Sequence, residues 1–255
     1  MTRNLVDHIA GSVRGAPFVE APFAHLELQN VFPADLYAAM LDAMPSQADY
    51  RAMSGRSRSA RRGDGTPTRV KIDLFPEFIR HLPAAKRDVW RQVGGALRSR
   101  ELMDAFVARL APPLAQRFGP GYARLGHYAM PILTRDTAGY EITPHPDTKW
   151  KAITVQLYLP PDESIVHVGT LFHERLAGGG LKRSTKMRFA PNSGYAFAVG
   201  EDTWHSVDPV GPEVESRDSI LLTYFLDAGP LRILRNRAKR LGNMLRNEWR
   251  YVSRR

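Results

Sequence analysis

Residues 152–159 read Ala152-Ile153-Thr154-Val155-Gln156-Leu157-Tyr158-Leu159, with Pro160 closing the run. Apolar and polar side chains alternate, β-branched residues are frequent, and neither glycine nor proline interrupts. That pattern reads as a strand with two unlike faces, Thr154, Gln156 and Tyr158 sharing one of them. Short runs of similar character surround it. Strands are expected at Ala123–Leu133, Glu141–Pro144, Gly169–Phe172, Met187–Phe189, Tyr195–Val199, His205–Val207 and Ser219–Leu226, separated by turn residues. So many short, punctuated strands predict an all-β barrel or jelly roll over residues 122–227.

The flanks read differently. Ala24-His25-Leu26-Glu27-Leu28 alternates like a short strand, and Phe32-Pro33 opens a helix carrying Leu36, Met40, Leu41 and Met44. Two more helices are expected, about Ala84–Leu97 and about Glu101–Arg117, the second kinked or split by Pro112-Pro113. Residues 1–121 therefore form an N-terminal helical support region. After Pro230, Leu231, Leu234, Ala238, Leu241 and Leu245 recur at helical spacing. Residues 228–255 are expected to be a basic C-terminal helix packed on the barrel, in preference to a membrane-surface or nucleic-acid element. The whole is expected to be mostly β with flanking α, in a single domain.

Composition narrows the function. The chain of 255 residues has no cysteine, which excludes disulfides and a catalytic thiolate. No apolar run approaches bilayer length, and residues 1–15 do not read as a secretory signal, so a cytoplasmic enzyme is expected. The net charge is +10. Much of it lies in a loop over residues 51–71, where Arg51, Arg56, Arg58, Arg61, Arg62, Arg69 and Lys71 face a single acid, Asp64, and in the C-terminal segment. Such clusters suit anionic partners or a solvated surface. A lid over an acidic substrate is one reading of the first.

Chemistry concentrates at His145-Pro146-Asp147. On an extended segment, side chains two apart point the same way, so an imidazole and a carboxylate can share one ion. His205, 60 residues later on an expected strand, is the best third ligand. Two histidines and one carboxylate on one face of an octahedral ion leave three positions open, the set used by non-haem iron(II) oxygenases. His127, His167 and His173 are rival ligands or ordinary strand and loop histidines. Arg217-Asp218-Ser219 follows His205 by twelve residues and opens the last strand. Arg217 and Ser219 should share a face, offering a guanidinium fork and a hydroxyl to a carboxylate.

The order His145-x-Asp147, His205, then Arg217-x-Ser219 resembles the 2-oxoglutarate and Fe(II)-dependent dioxygenase superfamily, in particular its prolyl-hydroxylase-like branch. Ile153–Pro160, Gly169-Thr170 and Pro191–Phe197 resemble that branch's strand after His-x-Asp, its glycine turn, and its approach to the distal histidine. The resemblance implies a double-stranded β-helix (jelly roll, cupin-like) core. It implies Fe(II) held by His145, Asp147 and His205, 2-oxoglutarate as cosubstrate, and O2 as oxidant. It further implies that Tyr158 hydrogen-bonds the distal carboxylate beside Arg217 and Ser219, with Thr154 and Gln156 on the same face. Arg135 replaces a tyrosine common ten residues before the first ligand. It is expected either to contact cosubstrate or substrate, or to be a salt-bridged barrel residue. Asp147 marks a hydroxylase or desaturase, since halogenating relatives carry a small residue there. The implied substrate is a small or carrier-linked metabolite, acidic if the basic loop covers it. A peptidyl or protein hydroxylase and a non-catalytic basic binding module are the alternatives. A cupin-like isomerase or hydrolase would not need Arg217-Asp218-Ser219.

Overall fold

The alternation at residues 152–159 separates two cores. In the computed structural model, which describes residues 2–53 and 61–227 together with 242 and 245, this run forms the strand β7 (Lys151–Tyr158). The described strands before it are β1 (Phe18–Val19), β2 (His25–Gln29), β3 (Arg51–Ala52), β4 (Arg69–Asp73), β5 (His127–Asp136) and β6 (Ile142–His145); those after it are β8 (Leu171–Arg175), β9 (Leu181–Lys186), β10 (Ser193–Ala198), β11 (His205–Val207) and β12 (Arg217–Leu226). They form two antiparallel sheets, one ordered β1-β2-β10-β7-β12-β5-β4-β3 and the other β6-β11-β8-β9.

Ile153, Val155 and Leu157 of β7 pack with Ile220, Leu222 and Tyr224 of β12 against the helices α1 (Thr2–Gly15), α3 (Ala84–Leu97) and α4 (Arg100–Arg109). Trp90, Val93, Leu97, Leu102 and Phe106 supply the helical side of this layer, all essentially solvent-free. Each such side chain stabilises the fold by roughly 1.5–3 kcal/mol relative to exposure. The opposite face of the large sheet meets the small one. There Tyr158, Phe172, Phe189, Tyr195, Phe197 and Val207 form a second, aromatic core. The polar residues of β7 thus point between the sheets, where they end in a cavity.

The helices agree well with their sequence signals. Helix α2 (Ala34–Asp42) starts after Pro33, and α3 has the expected bounds. The expected split falls at Leu110: α4 ends there, and Pro112-Pro113 lie in the first turn of α5 (Ala111–Phe118). Helix α1, for which no expectation was drawn, buries Leu5, Val6, Ile9, Ala10 and Val13.

The strands differ in three places. Residues 122–124 are a single 3-10 turn, so β5 begins later than the expected Ala123. Met187–Phe189 is not a strand, although Met187 and Phe189 are buried. The ladder partner of β8 is instead the polar β9, which has no apolar signature because pairing through a hairpin with Gly179 and Gly180 at positive φ holds it. Finally, the end of the expected loop at 51–71 is ordered as β4, which extends the large sheet by pairing with β5. The N-terminal region is therefore not only helical: it contributes β1 to β4. The expected C-terminal helix lies outside the described residues, except that Gly242 and Leu245 are helical. Among the described residues no helix is long and apolar enough to cross a membrane.

Candidate metal centre

His145 closes β6 and His205 opens β11, and the two are direct cross-strand partners. Pairing brings the imidazoles together, with ring centroids 4.5 Å apart. Asp147 follows on the extended segment beyond β6. One potential ligand atom from each of His145, Asp147 and His205 lies within 4.8 Å of the others. His127, His167 and His173 are not in this cluster: His173 bonds Ser206 Oγ at 2.7 Å, and His167 stands 3.8 Å from Glu213.

The ring orientations suit metal binding. His145 Nδ1 is 2.9 Å from the Thr143 carbonyl oxygen, and His205 Nδ1 is 3.0 Å from that of Thr203. A carbonyl only accepts, so both Nδ1 atoms donate. In the neutral rings Nε2 is then left with a lone pair for an ion. Asp147 is held in a comparable way. Lys151 Nζ donates to one carboxylate oxygen at 2.5 Å and Thr154 Oγ1 to the other at 2.6 Å.

Electrostatics favours the ligating forms of Asp147 and His205. Burial alone would raise the Asp147 pKa, but the Lys151 ammonium, the His205 ring and the hydrogen bonds outweigh it and hold the carboxyl at about 2. Burial depresses His205 to about 4, against the upward pull of Asp147. A consequence for the metal-free protein follows from linkage. Between about pH 6.5 and about 4 the unfolded chain protonates this histidine and the folded chain does not. Stability is therefore expected to fall as pH drops through that window, by on the order of 3 kcal/mol. The Asp147 contribution, present above its unfolded pKa of 3.8, is lost only as pH falls toward 2. Thermal melts of the metal-free protein at pH 7 and pH 5 measure this, with His205→Asn as the control. Equal pH sensitivity in the two proteins would contradict the assignment.

The cluster opens into a cavity of about 1140 Å³. Trp150 and Lys149 lie toward solvent, Trp150 being 57% exposed. Thr154, Gln156, Thr170, Tyr195, Arg69 and Arg217 also line it. Arg217 is fully buried: Nε donates to the Val168 carbonyl at 2.7 Å and an Nη to Asp136 at 2.8 Å. Its other Nη reaches Thr170 Oγ1 at 3.3 Å.

Other expected residues occupy less direct positions. Ser219 is in line with Arg217, but its hydroxyl is engaged by Gln156 Nε2 at 2.6 Å and Thr134 Oγ1 at 2.9 Å. Tyr158 directs its hydroxyl to Thr170 Oγ1 at 3.1 Å. Neither lines the cavity; each braces a residue that does. Of the two readings of Arg135, its contacts match the salt-bridged barrel residue. It pairs with Asp218 in register, on the opposite face of β5 from Asp136, and forks onto the Asp218 carboxylate at 2.8 and 3.1 Å. One step along a strand reverses the side chain, so Arg135 lies outside the barrel over Tyr50.

The basic stretch is also partly committed. Arg51 and Lys71 pair with buried Asp73, and Arg69 with buried Asp136. Asp136, Tyr140 and the Lys151–Asp147 contact have no counterpart in the sequence reading, and Thr170 and Tyr195 entered it only within family-like stretches, without a role of their own. Asp136 lies beyond the expected end of its strand at Leu133, so its inward position became visible only with the observed extent of β5.

Fold and site together define a double-stranded β-helix with a His-Asp-His cluster at one mouth of its cavity. No protein-family model and no curated protein matches the chain. Among solved structures, that of a Pseudomonas putida prolyl-4-hydroxylase is similar with a TM-score of 0.52 at 17% identity, over 85% of this chain and 98% of that one. AviO1 from Streptomyces viridochromogenes Tue57 gives a TM-score of 0.46 at 14% identity, over 90% and 97%. A 2OG-Fe(II) oxygenase family oxidoreductase from Burkholderia pseudomallei gives 0.44 at 13%, over 86% and 89%. The first of these likenesses establishes the shared fold.

Proposed function

We propose that this chain is an Fe(II)- and 2-oxoglutarate-dependent dioxygenase that oxidises a C–H bond of a small or carrier-linked substrate. The observation that carries the proposal is the pairing of two features in one cavity: His145, Asp147 and His205 with their ligand atoms within 4.8 Å, and the buried guanidinium of Arg217. The donor set fits the metal. Two neutral imidazoles and one ionised carboxylate on one side suit a ferrous ion with open positions. The cavity fits a short diacid, whose far carboxylate would meet Arg217, Thr170 and Tyr195.

When bound, iron and oxoglutarate would supply the oxidising chemistry, with succinate and carbon dioxide as coproducts. The chain's own tasks are positional. Thr143 and Thr203 orient the imidazoles through their carbonyls, and Lys151 and Thr154 fix the carboxylate. Ser219 and Tyr158 hold Gln156 and Thr170 against the cavity. Trp150, Lys149 and Lys151 border the outer side, where a substrate with an apolar plane and a negative charge would be favoured. Hydroxylation is favoured over halogenation because a carboxylate occupies position 147. A cupin-like isomerase has no use for a buried arginine opposite the metal.

Under anaerobic conditions, Fe(II) plus oxoglutarate is expected to give the wild-type protein a weak visible charge-transfer band. Metal binding without that band would count decisively against an oxygenase.

A further inference from the structure

We propose that Arg69 is a second cation of the diacid anchor, so that the row Arg69–Asp136–Arg217, and not Arg217 alone, makes that end of the cavity positive. The inference rests on the oxoglutarate reading of the site. Asp136 on β5 is in register with Arg69 on β4 and with Arg217 on β12, so three adjacent strands align the three side chains on the inner face. Arg69 Nε lies 2.9 Å from one Asp136 oxygen, and Arg217 donates to the other at 2.8 Å. All three residues are buried, and both arginines line the cavity.

Charge counting gives Arg69 its role. Burial pushes the Asp136 carboxyl upward, and the guanidiniums of Arg69 and Arg217, one at each carboxylate oxygen, oppose that shift. Arg217 and Asp136 alone would form a closed, neutral pair with little attraction for an incoming carboxylate. Arg69 restores one net positive charge in a water-poor site, where charge acts strongly. The row is also incompletely bonded. Although close, Arg69 Nε and Asp136 Oδ1 are buried without an aligned hydrogen-bond partner among the described residues. Arg69 is meanwhile held in place by the Tyr140 hydroxyl and ring, and Tyr140 lines the same cavity. The strand that brings Arg69 comes from the N-terminal region, outside the expected barrel core.

The test is anaerobic ligand binding to the Fe(II)-loaded protein, comparing oxoglutarate with 2-oxopentanoate, which has the same chain length but no distal carboxylate. Arg69→Gln is expected to weaken oxoglutarate by about tenfold or more while leaving 2-oxopentanoate within about threefold. Adding Asp136→Asn to Arg69→Gln returns the row to a single positive charge and should recover oxoglutarate to within about threefold of wild type; Asp136→Asn alone should bind it more tightly. Oxoglutarate affinity that ignores this order of charge, or an equal loss for both keto acids, overturns the role of Arg69. If Arg69→Gln does not fold, the two Asp136→Asn variants decide: equal affinity in both overturns the proposal. A wild type that binds Fe(II) but neither keto acid defeats the oxoglutarate reading itself, a distinguishable outcome.

Discussion

Replacing His205 with alanine is expected to reduce divalent-ion affinity by roughly 100-fold or more and to bring oxoglutarate-dependent succinate formation to background. Even partners that only orient a ligand cost about 10–100-fold when removed. His205 is itself a ligand candidate, and it is also the group that joins the metal site across the sheet. Without it, the remaining donors come from one short segment, His145 and Asp147, which two residues of extended chain bring together. Its ring is buried and its Nδ1 is fixed on the Thr203 carbonyl, so it contributes a preset Nε2 lone pair. Manganese titration followed by electron paramagnetic resonance reads the affinity without turnover, and circular dichroism checks that the sheet persists. Wild-type manganese affinity in a folded His205→Ala protein would remove this residue from the metal site.

Replacing Arg217 with alanine should act at the other end of the cavity and leave the metal in place. A fork of charge-assisted hydrogen bonds contributes about 1.5–3 kcal/mol per bond, so losing two raises the oxoglutarate requirement by roughly 100-fold or more. Stability should fall as well. Removing one partner of a buried ion pair commonly costs about 3–5 kcal/mol, and the remaining contact of Asp136 with Arg69 offsets part of that. Arg217→Lys keeps the charge but not the fork, and should fall between wild type and alanine. Oxoglutarate dependence of succinate formation and manganese affinity together separate the two ends of the site. An alanine variant with unchanged oxoglutarate dependence would mean that the diacid anchor lies elsewhere.

These expectations extend to substrate selection. Of the basic residues at 51–71, Arg56 and Arg58 lie outside the described residues, and the described ones divide into two sets. Arg51, Arg69 and Lys71 neutralise buried carboxylates, and their loss should read out as instability or, for Arg69, as weaker diacid binding. Arg61 and Arg62 are exposed and pair with no carboxylate among the described residues, each donating to a backbone carbonyl, of Gly65 and of Ala138. Charge reversal at these two positions addresses the lid without disturbing the sheet.

Much of this protein could be read from its residues in order. Period-two alternation in β7, the apolar run of β12 and the helical stripe of α2 announce their elements locally, because each signal is complete within a few residues. The gathering of His145, Asp147 and His205 was legible for the same reason: His145 and Asp147 are two apart, and His205 sits in a short strand signal of its own. Tertiary structure decided what depends on partners distant in sequence. Strand β4 forms from an arginine-rich stretch because the β5 edge offers it hydrogen bonds. Arg135 and Asp136 are neighbours with opposite fates, because the register against β12 sends one outside and the other inward, between Arg69 and Arg217. Cross-strand pairing alone turned an isolated acid and two remote arginines into a charged row, and no local periodicity encodes which strands become neighbours.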